Sequence, residues 1–279
     1  MANISKNETN LTLVLGGTGK TGRRIVERLE AQGLPVRVGA RSAALPFDWA
    51  DSTTWAPVLQ NVAAVYIAFY PDLAVPGAVD IIRAFVDQAV QSGVGHLVLL
   101  SGRGEPEAAQ CERIVQESGI DWTVLRVSWF SENFSEAFLR DLVLDGVVAL
   151  PAGAVQEPFI SAEDIADAAV KVLTEPGYTG ELYELTGPRL MTFAEAVGAI
   201  AQVTGREVAY VPISLEAFVA ALTEQGIPAD FVALIRYLFD KVLDGHNAYL
   251  TDGVQRILGR EPQDFTEYAQ KTAMSGAWN

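Results

Sequence analysis

A glycine-rich run is the part of this chain whose residue types and spacing point most directly to chemistry. Residues 16–22, GGTGKTG, satisfy both G-x-G-x-x-G and G-x-x-G-x-x-G. The run follows a short apolar segment and precedes a helical pattern. In that context glycines permit a tight turn and a close approach of the backbone, and the free N–H groups of the helix start attract phosphate. The run therefore predicts a turn that binds the pyrophosphate of a dinucleotide.

The Gly-Lys-Thr sequence inside this run also occurs at the end of a P-loop. The full P-loop motif requires a glycine five residues before Gly19, and that position holds Val14. Since the first glycine is missing, we do not expect nucleoside triphosphate hydrolysis.

The residues after the second predicted strand indicate which dinucleotide is preferred. A site for NAD usually places Asp or Glu there to bind the ribose hydroxyls, whereas this chain has Arg41 and Ser42. The Arg41 guanidinium can pair with a 2′-phosphate, and Ser42 adds a hydroxyl donor. These residues predict NADP(H) as the cofactor, and the alternative for Arg41 is a solvated surface arginine.

In a doubly wound sheet ligands bind beyond the carboxyl ends of the strands, so the segments after strands three, four and five should meet the nicotinamide and the acceptor. Ser101 and Tyr70 are the candidate catalytic hydroxyls there, and Ser101 could equally cap the next helix. For each aromatic residue in these segments the alternative is ordinary core packing. The candidate acceptor-binding residues are Tyr70, Arg103, Trp129, Phe130, Phe134 and Phe159.

A catalytic pair common in short-chain dehydrogenases is missing from its expected place. In that pair, Tyr-x-x-x-Lys on the helix after strand four, the lysine lowers the pKa of the tyrosine for proton transfer. The predicted helix at 105–118 contains neither residue, and the pattern occurs in this chain only at Tyr237 and Lys241. We interpret that downstream pair as a coincidence of helical spacing.

Short apolar runs alternate with helical patterns in the N-terminal half, which is typical of βαβ units and a parallel sheet. We expect strands at 11–15, 35–39, 63–69, 96–100, 122–126 and 182–185, with one more near 207–211 in the C-terminal part, and helices at 20–31, 75–91, 107–117 and 162–173. The predicted fold is α/β, a Rossmann-type doubly wound parallel sheet with a smaller, mostly helical C-terminal cap. The dinucleotide-binding domain would span 1–135, completed by about 161–187, and the cap 188–279 with 136–160.

Composition excludes several other classes of protein. The net charge of −15 opposes binding of nucleic acid, which attracts clustered Lys and Arg. One cysteine and two histidines exclude a disulfide framework and a thiolate-rich or histidine-rich metal site, so no metal is expected and Cys111 is interpreted as a packing residue. The polar residues 1–10 and the lack of a long apolar run predict a soluble, cytoplasmic protein with no membrane partner. We further expect a monomer or homodimer that acts on a small-molecule substrate.

Several sequence segments together resemble the NmrA-like branch of atypical short-chain dehydrogenases. These segments are GGTGKTGRR at 16–24, LLSGRGE at 99–105, SGIDWTVLRVSWFSENF at 118–134 and ELTGP at 184–188. Within that branch, PFDW at 46–49 and TDGVQRILGREPQDF at 251–265 are similar to the group of fungal ergot-alkaloid reductases, the festuclavine dehydrogenase-like group.

The resemblance implies a set of dinucleotide contacts. They are Gly16, Thr18, Gly19, Lys20, Thr21, Arg41 and Ser42, with residues 47–49 near the adenine, and to these we add Gly22, Asp48, Trp49, Phe69 and Ser101 as expected cofactor-binding residues. Many relatives carry a lysine four residues before the glutamate that matches Glu112, and this chain has Ala108 there. That difference weighs against a lysine-assisted reduction.

Two functions follow as expectations. The first is an NADPH-dependent reductase that transfers hydride to an iminium, a quinone or an activated enal without the Tyr-Lys pair. The second is a non-catalytic NADP(H)-binding redox sensor, like the regulator that gives the branch its name, and the absent pair favours it modestly.

Overall fold

This computed structural model describes residues 10–279 and contains a six-stranded parallel sheet. Five of its strands lie in the N-terminal half of the chain, and the sixth lies at 181–185. The strands of the described residues are β1 (Leu11–Leu15), β2 (Val36–Gly39), β3 (Val62–Ile67), β4 (His96–Gly102), β5 (Asp121–Val127), β6 (Val147–Leu150), β7 (Gln156–Glu157), β8 (Glu181–Leu185), β9 (Met191–Thr192) and β10 (Ala209–Pro212). The sheet order is β2-β1-β3-β4-β5-β8. Strand β2 lies on one side of β1 and the later strands lie on the other, so the sheet is doubly wound and Rossmann-like, as predicted.

The helices of the described residues are α1 (Lys20–Ala31), α2 (Trp55–Leu59), α3 (Ala78–Gln91), α4 (Pro106–Gln116), α5 (Asn133–Glu136), α6 (Phe138–Leu144), α7 (Ala162–Thr174), α8 (Phe193–Thr204), α9 (Leu215–Glu224), α10 (Ala229–Tyr237), α11 (Gly253–Leu258) and α12 (Phe265–Met274). The prediction placed the start of α3 at 75, which is wrong. Gly77 precedes the helix with a φ of 86°, a left-handed conformation that cannot belong to it. No described helix is both long and apolar enough to cross a membrane.

The chain divides into two compact units. The first comprises the residues through Ser101 together with Pro106–Leu125 and Ala166–Tyr183, and the second comprises Gly102–Glu105, Arg126–Ile165 and Glu184–Asn279. The polar residues 1–10, which contributed to the prediction of a soluble, cytoplasmic protein, lie outside the described residues except for Asn10.

The central strands of the first unit are covered on both faces. Leu13, Val14 and Leu15 have no exposed surface, which explains why three consecutive residues of β1 are apolar instead of alternating with polar ones. Helix α1 packs Ile25 and Leu29 inward. The one cysteine of the chain, Cys111, is buried in this core.

The second unit contains strand pairs that the sequence pattern missed. Strand β10 pairs with β6 in parallel, and β7 pairs with β9 in antiparallel register, Glu157 opposite Met191. The sequence predicted a strand only near β10. The others are two to four residues long, too short to show a period.

Candidate functional site

The glycine run forms a tight turn between β1 and α1. Gly16 adopts a φ of 66°, and the Gly19 N–H donates to the Gly16 carbonyl at 2.8 Å. The Gly17 N–H donates to the carbonyl of Gly39 at 3.3 Å. The turn is thereby held against the end of β2, the strand that leads to Arg41.

Two further glycines make this turn possible because no side chain would fit. A Cβ atom on Gly22 would overlap the carbonyl oxygen of Gly16, and a Cβ on Gly17 would lie 2.9 Å from the Val14 oxygen and the Val38 side chain. The first turn of α1 therefore packs directly on the backbone that precedes it. This is the close packing of helix and strand for which dinucleotide-binding turns require glycine.

The N-terminus of α1 is open to an anion. Its N-cap residue is Gly19, which offers no side-chain cap, and its first turn contains no acidic residue. Backbone N–H groups and the positive end of the helix dipole are thus available to a phosphate group. The cradle fits the pyrophosphate of a dinucleotide.

The Thr21 hydroxyl is engaged by β3. Its side chain is nearly buried and accepts a hydrogen bond from the Tyr66 hydroxyl at 3.0 Å. Burial raises the pKa of Tyr66, which therefore stays a neutral donor. The pair anchors the first turn of α1 to β3.

Arg41 and Ser42 lie just beyond β2, where Arg41 is exposed. The Ala40 carbonyl accepts hydrogen bonds from the N–H groups of Ala43 and Phe47 at 3.2 and 3.1 Å, so the chain turns back on itself here. An exposed guanidinium at this strand end, next to the glycine turn, is able to approach a ribose phosphate. The assignment of both residues to the cofactor stays a prediction.

Aromatic side chains line the same part of the first unit. The Trp49 ring lies 4.8 Å from that of Phe47, 4.9 Å from Phe69 and 5.2 Å from Phe85. Trp49 and Phe69 are half-buried against the core, so each keeps an exposed part that an adenine or nicotinamide ring could contact. The Asp48 carboxylate accepts the Ala50 N–H at 3.0 Å and so supports this turn.

Ser101 does not fill the role that the sequence indicated. Its hydroxyl donates to the Glu112 carboxylate at 2.6 Å, and both residues are almost fully buried, each 2% exposed. The hydroxyl hydrogen is therefore committed to Glu112 in α4, so Ser101 is not a free proton donor in this arrangement, and its assignment to cofactor contact stays a prediction. Tyr70, at 69% exposure beyond β3, remains an untested candidate.

Arg103 is also not available to an acceptor. The side chain is 3% exposed, and its Nε lies 2.7 Å from Oε1 of Glu184. Its Nη2 donates to the carbonyls of Asn247 and Tyr249 at 3.1 and 3.3 Å, and the Tyr249 ring covers the guanidinium at 4.0 Å. Arg103 therefore holds the irregular segment at 244–251 in place, instead of binding substrate.

Phe134 and Phe159 were expected to contact the acceptor, and the structure assigns them to the core instead. Neither ring has more than 2% exposed surface, and their centroids lie 5.7 Å apart among Phe193 and Phe265. Rings without accessible surface cannot touch a ligand unless the core opens. Trp129 and Phe130 are not fully buried and stay candidates.

Glu157 is a functional candidate that the sequence analysis missed. Its carboxylate is 2% exposed and accepts the backbone N–H of Trp129, while its Oε1 has no hydrogen-bond partner among the described residues. Burial raises its pKa to about 7, an effect that Arg103 and the Trp129 N–H partly oppose. The sequence signal that could have pointed to Glu157 is the position of an acidic residue directly before the apolar run PFI at 158–160.

The downstream pair Tyr237 and Lys241 lies at the end of α10 and in the π-helical turn that follows. Lys241 is exposed, with its amine 3.1 Å from the Asp240 carboxylate. Its interpretation as a coincidence of spacing stays a prediction.

Comparison with known proteins relates this geometry to a family. Residues 16–176 match a family model described as NAD(P)H-binding. Agroclavine dehydrogenase of Claviceps fusiformis is 33% identical, covering 92% of this chain and 95% of its own, and NAD(P)H azoreductase of Xenophilus azovorans is 29% identical, covering 94% and 98%. The NADP(H) complex of triphenylmethane reductase from Citrobacter sp. superposes with a TM-score of 0.76 at 21% identity, over 95% of this chain and 99% of that one.

Proposed function

The chain belongs to the NAD(P)H-binding oxidoreductase family that includes the clavine dehydrogenases, and from this premise we propose that it is an NADPH-dependent reductase of a small organic acceptor. The observation that carries the proposal is the phosphate cradle: a turn into which no side chain fits, followed by a helix with an uncapped N-terminus. Bound NADPH supplies hydride to the acceptor. The backbone of the cradle holds the pyrophosphate, and Arg41 with Ser42 binds the 2′-phosphate.

We assign acceptor binding in the second unit to Trp129 and Phe130. Both follow β5, and ligands of doubly wound sheets bind beyond the carboxyl ends of the strands. Their partly buried aromatic surfaces suit a planar, conjugated molecule. Names of the relatives agree with this class, since clavines, azo compounds and triphenylmethanes all contain conjugated systems.

Replacing Arg41 by alanine should erase most of a preference for NADPH over NADH. We expect the unmodified protein to bind NADPH at least about tenfold more tightly, because one charge-assisted phosphate pair contributes about 1.5 to 3 kcal/mol. Calorimetry with both dinucleotides measures the ratio. Arg83→Ala, which removes an exposed arginine from α3, is the matched control and should leave the ratio unchanged. Equal affinities in the unmodified protein would contradict the assignment of Arg41.

The reaction itself is tested by following NADPH oxidation with iminium compounds, quinones and activated enals at neutral pH. An iminium carbon becomes a neutral amine on receiving hydride, and a quinone or enal delocalises the developing charge, so these acceptors depend less on the absent Tyr-Lys pair. We expect turnover with at least one class. NADPH binding without turnover of any class would overturn the reductase proposal and favour the NADP(H) sensor.

A further inference from the structure

A buried tyrosine connects the centre of the six-stranded sheet to the first turn of α1. Tyr66 lies in β3, between β1 and β4, and has no exposed surface. Its hydroxyl donates to Oγ of Thr21 at 3.0 Å, and Thr21 is buried as well. Thr21 is the second residue of α1, so this one contact fixes the start of the helix against the sheet.

The backbone N–H groups of Thr21 and Gly22 belong to the turn that this contact holds. The first N–H groups of a helix have no acceptor within it. The Arg23 N–H donates to the Gly19 carbonyl at 3.1 Å, whereas those of Thr21 and Gly22 have no backbone acceptor among the described residues. Both residues are buried, and buried N–H groups of native proteins nearly always have a partner. A phosphate oxygen bound at this turn would be such a partner.

Packing alone does not explain the hydroxyl of Tyr66. A phenylalanine would fill the same space between β1 and β4 and would bury no polar group. Removing a hydroxyl from water costs free energy that one hydrogen bond little more than offsets, and replacing both partners by apolar groups of the same shape is often nearly neutral for stability. The bond to Thr21 is therefore better explained by the turn that it holds in place than by its contribution to stability.

We propose that Tyr66 is a positioning residue for the dinucleotide, a role that rests on the phosphate cradle of the proposed function. Its hydroxyl fixes Thr21, and Thr21 fixes the direction in which the first N–H groups of α1 point. The close approach of Gly22 to the Gly16 carbonyl limits how near α1 lies to the glycine turn. The bond from Tyr66 limits how far the same end of α1 moves away. The N–H groups are thus oriented before the pyrophosphate binds, which reduces the ordering cost of binding.

The first test measures dinucleotide binding to Tyr66→Phe by calorimetry. We expect the affinity for NADPH to fall about three- to tenfold, the effect of losing one neutral hydrogen bond. The affinity for NADH should fall by the same factor, because both dinucleotides contain the pyrophosphate, whereas Arg41→Ala should weaken only NADPH. Binding of adenosine 2′-monophosphate, which has no pyrophosphate and is measured by competition with NADPH, should be unchanged.

Tyr268→Phe is the matched control. Tyr268 is also buried, and its hydroxyl donates to Oγ of Ser135 at 2.7 Å within the second unit. The two variants remove the same group from the same kind of buried bond, so both should lower stability to urea by similar amounts. Only Tyr66→Phe should weaken dinucleotide binding. An equal loss of affinity in the two variants, or no loss in Tyr66→Phe, would overturn the proposal.

A double variant separates positioning from stability. Tyr66→Phe combined with Thr21→Val removes both partners and keeps their shapes, so its urea unfolding should be close to that of the unmodified protein. Its affinity for NADPH should stay reduced, but by no more than in the weaker-binding single variant, because both changes remove the same contact. Thr21→Ser, which keeps the hydroxyl, should retain most of the affinity. Losses that multiply in the double variant would contradict a shared role.

Hydrogen exchange of the Thr21 and Gly22 amides reports directly on the cradle. NADPH should slow their exchange in the unmodified protein, and should slow it less in Tyr66→Phe at equal occupancy of the site. Binding of NADPH without slower exchange at either amide would overturn the proposal. If the unmodified protein binds neither dinucleotide, the proposed function has failed and the role of Tyr66 fails with it. If both dinucleotides bind and Tyr66→Phe binds them as tightly, only the role of Tyr66 is wrong.

Discussion

Replacing Gly22 by alanine is expected to lower NADPH affinity on the order of a thousandfold, because the change destroys two or more charge-assisted hydrogen bonds of about 1.5 to 3 kcal/mol each. The added Cβ would overlap the Gly16 carbonyl oxygen and lie 2.8 Å from Cα of Gly17. Both contacts are backbone, so neither can rotate away as a side chain would. The first turn of α1 must then move away from the glycine turn, and its N–H groups no longer point at the pyrophosphate.

The same substitution should also lower the free energy of unfolding by about 1 to 3 kcal/mol through overpacking. Gly198→Ala is the matched control: Gly198 lies in the interior of α8, and no atom of the described residues beyond its own helix would lie within 4 Å of an added Cβ. There the exchange should be neutral or stabilise the helix by up to about 1 kcal/mol. Calorimetric NADPH binding and urea unfolding of both variants measure the effects. Unchanged NADPH affinity in a folded Gly22→Ala protein would show that the cradle does not hold the pyrophosphate.

Arg103→Met should destabilise the protein by about 3 to 5 kcal/mol, the usual cost of removing one partner from a buried ion pair. The variant leaves Glu184 without its guanidinium partner and deprives the carbonyls of Asn247 and Tyr249 of their donor. It also removes the charge that lowers the pKa of Glu157. Methionine keeps much of the volume, so the loss reports on charge and hydrogen bonding rather than on a cavity.

The loss should be larger at pH 8 than at pH 5. Burial raises the pKa of Glu157, so at pH 5 the carboxyl is protonated in the folded state. A neutral carboxyl group gains little from the positive charge of Arg103, so its removal costs less stability at that pH. At pH 8 it must either ionise without the charge of Arg103 or keep a proton that the unfolded state has lost, and both outcomes lower the free energy of unfolding. Urea unfolding at the two pH values measures this, with Arg113→Met on the exposed face of α4 as control, for which we expect a change within about 0.5 kcal/mol. A loss below about 1 kcal/mol at both pH values would contradict the role assigned to Arg103.

The sequence by itself determined the sheet and the phosphate-binding turn. Both depend on short-range signals: apolar runs of strand length, helical periodicity, and glycines at fixed spacing between a strand and a helix. The prediction of α1 at 20–31 matches the structure at both ends, because the glycine turn fixes its start and Gly33 closely follows its last turn. Arg41 and Ser42 were placed beyond β2 for the same reason, since their position depends only on where that strand ends.

Only the tertiary structure decided what the polar groups near the strand ends do. The sequence allowed Ser101 either to bind substrate or to cap a helix, and the structure shows that its hydroxyl donates a hydrogen bond to Glu112. Arg103 donates to the carbonyls of Asn247 and Tyr249, which lie far along the chain. No local pattern encodes such a pairing. The raised pKa of Glu157 could not be predicted from the sequence either. It depends on the burial and the hydrogen-bond and charged partners that folding gives the carboxyl group, and the neighbouring residues in the sequence show neither.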